Sequence, residues 1–514
     1  MHPRIHIALH LSCIAIVLCG FAAKAQEIGR GTKLVGSYLP ENRDLYASVY
    51  DFPGDIEHLY LDAANGVLQV VYGQNHPRKS RRKGVLLEYD LRVNQVLWSK
   101  KIRYSNNAIY GLEGLLVETP GKNTIGFDSK TGKKLWKAPH DLYFVDEPHR
   151  VGVGYLTNGP KDDHYNLEGI DLLTGTSMWK RRVFKGYGWN DLQNINDSTY
   201  LIIAAGLHKL DIRTGEGWSY NALTVDDSKR FRAPEGYGLG GGIFMKGGMI
   251  SNVLTDSSDY YLAGKTKIVR IDALTGKVKW SSTLPEGITG ASSIFLKDSS
   301  LYMVNRGMAL TTFGPITHGE PFIASFNQRS GHPRYLKATQ SEELPIWGME
   351  IIGESLFLLN KEGMERYSLA SGELEAHNQL DEELDGKALA MLRADELYHR
   401  QSDGRYEALA DSEGLFFLIT SHGLVMAINE DLQRVYSLSA ELLWEEQLSV
   451  SGMKLLSDGE RSLLIDEEGV LLSEILLPGT VSAAQDRHLL FRKDNRCFMI
   501  DLQSLHTGVL RGKK

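Results

Sequence analysis

The sequence predicts an all-β protein in which one four-stranded unit is repeated around a closed ring. Three observations lead there. The phrase Asp-x-x-Thr-Gly, followed within a few residues by an aromatic, recurs along the chain. Its better copies stand about 40 residues apart, the length of four short strands and their turns. The chain also carries 52 Gly that punctuate short apolar runs, and few stretches show a helical period.

Each part of the phrase has a physical task. Asp and Thr cap a tight turn with their own side chains, and Gly supplies the positive φ that the turn needs. The residues before the phrase alternate or run apolar, as at 267–271, so a strand enters a hairpin there. The aromatic opens the strand that leaves, and at a fixed register it packs between neighbouring units.

The copies can be read in order. The first has Asp90 and Trp98, with Asn94 at the Gly position, where Asn tolerates left-handed geometry. Next come Asp128, Thr131, Gly132 and Trp136, then Asp171, Thr174, Gly175 and Trp179. Asp211, Thr214, Gly215 and Trp218 follow, then Asp272, Thr275, Gly276 and Trp280. After that the phrase decays. Asn327, Ser330 and Gly331 lead to Tyr335, Ser368 leads to Ala376, and Asn429 keeps only Tyr436. Eight anchors predict eight blades of a β-propeller, with seven or nine left open. A closed ring leaves only short, protected strand edges. In an eight-unit ring the first and last strands of the chain would complete one blade together. Beyond 450 the chain still reads as strands, with hairpin breaks at Asp466–Gly469 and Lys493–Asn495. Leu384, Leu389, Met391, Leu392 and Leu397 have helical spacing, so a short helix over 383–398 is the alternative to strand there.

The N-terminus reads as a processing segment. An apolar run at 11–22 precedes Ala23-Lys24-Ala25, the pattern of a secretory signal peptide over residues 1–25. A lipid anchor at Cys19 is the weaker alternative, because Leu18 stands where a small residue is expected. Residues 26–514 then form a single propeller domain, with longer loops at about 222–260, 303–320 and 379–412. No later stretch is long and apolar enough to span a membrane. A net charge of −7 offers no broad basic field for nucleic acid. Of Cys13, Cys19 and Cys497, two fall in the signal, so no internal disulfide is expected.

The recurring Asp, Thr, Gly and Trp resemble the pyrroloquinoline-quinone-type β-propeller repeat, whose motif reads Ala-x-Asp-x-x-Thr-Gly-x-x-x-Trp. The resemblance covers most of 80–440. It departs at the Ala position, which holds Gly126, Gly169, Lys209 or Arg270, while Ala427 fits. Propellers of this type serve both the quinoprotein alcohol dehydrogenases and the non-catalytic outer-membrane assembly propeller of the Bam complex. The dehydrogenases are similar to one another in having two adjacent Cys beside the cofactor and a calcium site with an Asp base. This chain has no adjacent Cys. The resemblance therefore implies the non-catalytic branch: an exported protein-binding or scaffold module of the bacterial cell envelope, with a protein partner and no cofactor. A quinone-dependent dehydrogenase, or a small-molecule or carbohydrate-binding propeller with a central-channel site, is the alternative.

Other residue clusters read first as structure. Gly236–Gly241 matches G-x-G-x-x-G but precedes no helix, so it reads as a loop. His140, Asp141, Asp146, Glu147 and His149 are the densest ligand-type group, yet their spacing fits no metal signature. Asp162, Asp163 and His164 read as a polar loop tip, and Arg78, Lys79, Arg81, Arg82 and Lys83 as a solvated hairpin tip.

Overall fold

The computed structural model describes residues 28–502 apart from 74–82, 104–107, 121, 159–165, 184–190, 205, 222–249, 312–313, 342, 394–396, 401–402, 409–414, 423, 439–442, 451–452, 458–460, 478–479 and 486–487. The expected signal segment lies outside the described residues. So do Arg78–Arg82, Asp162–His164, Gly236–Gly248 and most of the 222–260 loop.

Among the described residues the chain is all-β, with a single 3-10 turn at Leu39–Glu41 and no α-helix. Strand β1 (Gly29–Tyr38) and strand β2 (Arg43–Asp51) form an N-terminal hairpin. Four-stranded antiparallel meanders then follow one another. The first runs Ile56–Asp62, Val67–Gly73, Lys83–Asp90 and Gln95–Arg103. The next seven span 108–138, 140–182, 191–221, 254–283, 292–338, 348–379 and 388–438. A ninth, 443–475, and a tenth, 480–501, lie inside an eleven-stranded sheet. The tenth has three strands of its own, and β2 is its fourth, with Ser48 opposite Met499 and Val49 opposite Phe498. At Gly36–Tyr38, β1 also pairs with Leu471–Ile475, joining the outer edges of the ninth and tenth meanders.

Ten meanders are thus described where the repeat phrase marked eight. The difference has a local cause. The ninth turns at Asp466–Gly469 without a Thr-Gly pair, its cap being Asp466 Oδ1, which accepts from Val470 N at 2.7 Å. The tenth has its third strand end at Asp501, next to the last described residue, and takes β2 as its fourth strand. The helical spacing over 383–398 is also overridden. Ala388–Arg393 is a strand paired with Phe416–Thr420, and strand pairing outweighs a short apolar period. Leu397–Arg400 and Tyr406–Ala408 form a hairpin that leaves the eighth meander. It pairs with the ninth at Leu397↔Trp444 and packs Tyr398 and Tyr406 on Leu456, Leu463 and Ile465.

Burial explains why the strands read as they do. Every residue of Val67–Gly73 is buried, and Leu115–Thr119 and Asp259–Ala263 are the same. A sheet covered on both faces needs continuous apolar runs, not alternation. The apolar clusters straddle neighbouring meanders. Val71, Leu86 and Ile102 of the first pack on Leu116 and Phe127 of the second. Val153 and Tyr155 of the third meet Tyr200 and Ile202 of the fourth. Leu68, Tyr72 and Leu87 of the first also meet Leu490 and Cys497 of the tenth. Cys497, the one cysteine among the described residues, is fully buried there, and burial pushes its thiol up to about 12.

A meander puts its first and third turns at one end and its second turn and exit at the other. The repeat phrase always occupies the third turn, so those turns share one end. The opposite end receives the sixth meander's hairpin insertion, Met308–Thr311 with Gly314–Thr317, and the connections between meanders.

Deleting residues 26–51 removes β1 and β2 and bares the edge of Arg496–Asp501. The truncated chain is expected to melt at lower temperature and to self-associate through that edge. Calorimetry and light scattering check this, and an unchanged midpoint with a monodisperse monomer would contradict it.

Candidate functional site

The feature that most organises the chain is a row of contacts running from each meander to the next. Trp98 Nε1 donates to Ser129 O at 2.7 Å, Trp136 to Leu172 O at 2.8 Å and Trp179 to Ile212 O at 2.7 Å. Trp218 donates to Ala273 O at 3.1 Å, Trp280 to Gln328 O at 3.0 Å, and the Tyr335 hydroxyl to Leu369 O at 2.8 Å. Every acceptor is the residue just after the phrase's Asp, Asn or Ser. The ring lies over the phrase's glycine. A Cβ at Gly175 would sit 2.6 Å from the Trp136 ring, and its φ of +72° disfavours any side chain independently.

The turns themselves are held by the Asp side chains. Asp128 Oδ1 accepts from Thr131 N and Oγ1, each at 2.7 Å. Asp272 Oδ1 accepts from Thr275 N and Oγ1, each at 2.8 Å. The Asp171 carboxylate accepts from Leu173 N and Thr174 Oγ1 at 2.8 Å, and Asp211 from Arg213 N at 2.8 Å and Thr214 N at 3.2 Å. Asn327 caps Arg329 N and Ser330 N at 3.0 Å. The Thr275 hydrogen bonds hold Asp272 down at about 2, and the Arg92 guanidinium does the same for Asp90. Asn94 takes φ +55° where other copies have Gly.

The position two before the phrase faces the aromatic across the strand pair, and its identity follows what the seam needs. Gly126 and Gly169 lie under their own Trp, where a Cβ would come within 2.3 and 2.1 Å of the indole. Lys209 and Arg270 face Trp218 and Trp280, and each adds a second donor to the same carbonyl, Ala273 O and Gln328 O, both at 3.2 Å. They look like departures from the motif in sequence, and in space they reinforce it.

The seventh-to-eighth seam inverts the arrangement. Ala376 has no ring, and the facing residue Arg366 donates through Nη1 to Glu430 O at 2.7 Å. Glu430 is again the residue just after the phrase's first position. Leu432, with φ +61°, stands where a glycine platform is found elsewhere, and it is buried with Ala376 packed against its cluster. A large residue on the turn is matched by a small one on the strand.

Glu88 occupies the corresponding position in the first meander and faces Trp98. It is fully buried, neither carboxyl oxygen has a hydrogen-bond partner, and Gln69 across from it is likewise unsatisfied. Burial, with Asp62 nearby, pushes Glu88 up to about 9.

The sequence-level ligand cluster separates. His140 and Asp146 sit at opposite ends of one strand, His140–Asp146, about 20 Å apart at the usual rise per residue. His140 Nε2 meets Glu168 Oε2 at 2.9 Å, with Lys180 on the other oxygen at 2.9 Å. Burial works to raise Glu168, but hydrogen bonds from Lys180 and His140 bring it below its ordinary value. Asp146 instead accepts from His149 and Tyr200. Among the described residues no group of three or more His, Cys, Asp or Glu is placed to hold a metal ion. Among them, too, no helix is long and apolar enough to cross a membrane.

No protein-family model matches the chain, and no curated protein matches it by sequence. Among solved structures it is similar to BamB from Moraxella catarrhalis, with 13% identity over 72% of this chain and 96% of that one and a TM-score of 0.31. It is similar to the computationally designed Ika8 protein, with 12% identity over 72% and 97% and a TM-score of 0.30. It is also similar to the dihydro-heme d1 dehydrogenase NirN, with 10% identity over 75% of each chain and a TM-score of 0.30. Likenesses this distant carry no argument about activity, and the sheets and seams above stand on their own.

Two substitutions test the seams. Ala376→Trp alone is expected to cost about 1–3 kcal/mol by overpacking on Leu432. Combined with Leu432→Gly it rebuilds the ring-on-glycine contact and recovers most of that loss, so a double-mutant cycle should show strong favourable coupling. Glu88→Gln tests the buried acid. Folding takes up a proton at Glu88 between its ordinary value of 4.5 and about 9, so stability falls as pH rises through that window. The variant should gain over the parent near pH 8 and match it near pH 4 in urea unfolding, and an equal gain at both would exclude charge as the cause.

Proposed function

We propose that this chain is an exported, non-catalytic β-propeller in which ten meanders close into one ring. It acts as a protein-binding scaffold of the bacterial cell envelope. It is of the pyrroloquinoline-quinone type, nearer to the outer-membrane assembly propeller than to the quinoprotein dehydrogenases. Closure is supported by the apolar cluster shared by the first and tenth meanders and by β2 completing the tenth. Export is supported by the apolar run ahead of Ala23-Lys24-Ala25.

One observation carries the scaffold reading, the division of labour between the two ends of the meanders. At one end the phrase turns use their Asp carboxylates as caps and their carbonyls as seam acceptors. At the other end the inserted hairpin and the connections between meanders carry no phrase turn. Loops gathered on a rigid platform suit recognition of another protein. The carboxylates of the phrase are structural, which also favours a non-catalytic role.

Cross-linking intact envelopes and purifying the tagged protein tests the reading. One or a few specific envelope proteins should be recovered, and their yield should fall when the 306–321 hairpin is replaced by a short Gly-Ser loop. Recovery of abundant bystanders only, unchanged by the replacement, would overturn it.

A further inference from the structure

The end of the meanders that carries the connections holds a cavity of about 410 Å³ at the entry to the seventh meander. Three stretches wall it: the connection with Gln340, Ser341 and Glu343, the turn with Asn360 and Glu362, and the strand end at Gln379. Its buried wall is Glu365, which is 4% exposed. Three neutral donors fix that carboxylate. Ser341 Oγ and Asn360 Nδ2 reach one oxygen, the latter at 3.2 Å, and the Tyr367 hydroxyl reaches the other.

Several other buried carboxylates of this chain are matched to a cation, while Asp62 is held by neutral donors and Glu88 has no partner. Glu168 has Lys180, Asp259 has Arg270 and Lys279, and Asp385 has Arg434. Among the described residues no Lys or Arg lines the cavity around Glu365. Glu343 and Glu362 add two further carboxylates, and Lys361 approaches Glu362 only at 4.0 Å from the exposed side. His377 is the basic side chain on the wall, and three carboxylates around one concave space outweigh it and concentrate negative potential.

We infer that this cavity receives an alkylammonium group. The three N–H donors of an ammonium meet the carboxylate and amide oxygens of the wall, and its compact charge complements Glu365. The volume accommodates a short alkyl chain behind the ammonium, of the size class typical of small-ligand sites. A free amine and a lysine side chain share this chemistry. The site stands apart from whatever protein the rest of the face recognises.

Isothermal titration calorimetry of the full mature chain tests the inference with n-butylammonium, Nα-acetyl-lysine-N-methylamide and n-butanol. At least one ammonium compound should bind, about tenfold or more tighter than butanol, a difference of about 1.4 kcal/mol. Binding of both supports a free amine as a sufficient ligand, and binding of the lysine derivative alone assigns the site to a lysine side chain. Glu365→Gln, which keeps the shape and an acceptor, should weaken binding about tenfold or more. Glu343→Gln is on the exposed rim and spares the fold, and it should weaken binding a few-fold and flatten its salt dependence. Butanol binding as well as the ammonium, no heat with any compound up to about 10 mM, or unchanged affinity in both variants would overturn the inference.

Discussion

An aromatic ring laid on the neighbouring sheet's turn glycine, with its N–H or O–H given to the next carbonyl, is the interaction on which the rest of the chain depends. A four-stranded sheet with apolar residues on both faces has no independent core and must be covered twice. Six seams use the same device, from Trp98 on the second meander to Tyr335 on the seventh. The device demands three things at once. The turn must bend through a positive φ, its glycine must be bare, and its carbonyl must be left without a partner in its own sheet. The Asp-x-x-Thr-Gly phrase supplies all three, because the Asp and Thr side chains take over the turn's N–H groups.

Where the device lapses, something else holds the sheets. Between the seventh and eighth meanders the ring is exchanged for a guanidinium, and Leu432 fills the room that the ring would take. Between the eighth and ninth, the Tyr406 hairpin lies on the sheet, and its backbone N–H reaches Gly469 O at 2.8 Å. Between the ninth and tenth, β1 is hydrogen-bonded to both neighbours, so the contact becomes a continuous sheet. The aromatic dock thus gives way to a guanidinium and then to main-chain pairing over a shared apolar cluster as the phrase decays.

The legibility of the sequence follows the same gradient. All-β structure, the unit length and the turn chemistry could be read because Asp, Thr, Gly and Trp recur together and each has a local reason. The ninth and tenth meanders could not be counted from the phrase, because they are joined by main-chain pairing to β1 and β2 and by ordinary apolar residues such as Leu455, Leu464, Leu489 and Phe498, which carry no turn signature. Arg366 could have been found from the register. It stands opposite Ala376, the one copy from Asp90 to Ser368 in which the aromatic is lost. Glu88 carried no such signal, because its isolation comes from burial between sheets. His140 and His149 looked adjacent in sequence, and a strand separates them.

The pairing of β2 with Arg496–Asp501 joins residues 445 positions apart, as the contact of Arg496 with Asp51 marks. A chain made from its N-terminus onward produces β2 some 445 residues before its partner strand. At ordinary synthesis rates the interval is on the order of tens of seconds. For all that time the tenth sheet lacks its inner strands, and β2 keeps a bare edge of the kind that recruits other chains. That pairing also carries the highest loop-closure cost among the described strand pairs, so it comes late even after both strands are present. Until that pairing forms, β2 and the Arg496–Asp501 strand each present an unprotected edge, and this is the interval in which the chain is most open to capture by its neighbours.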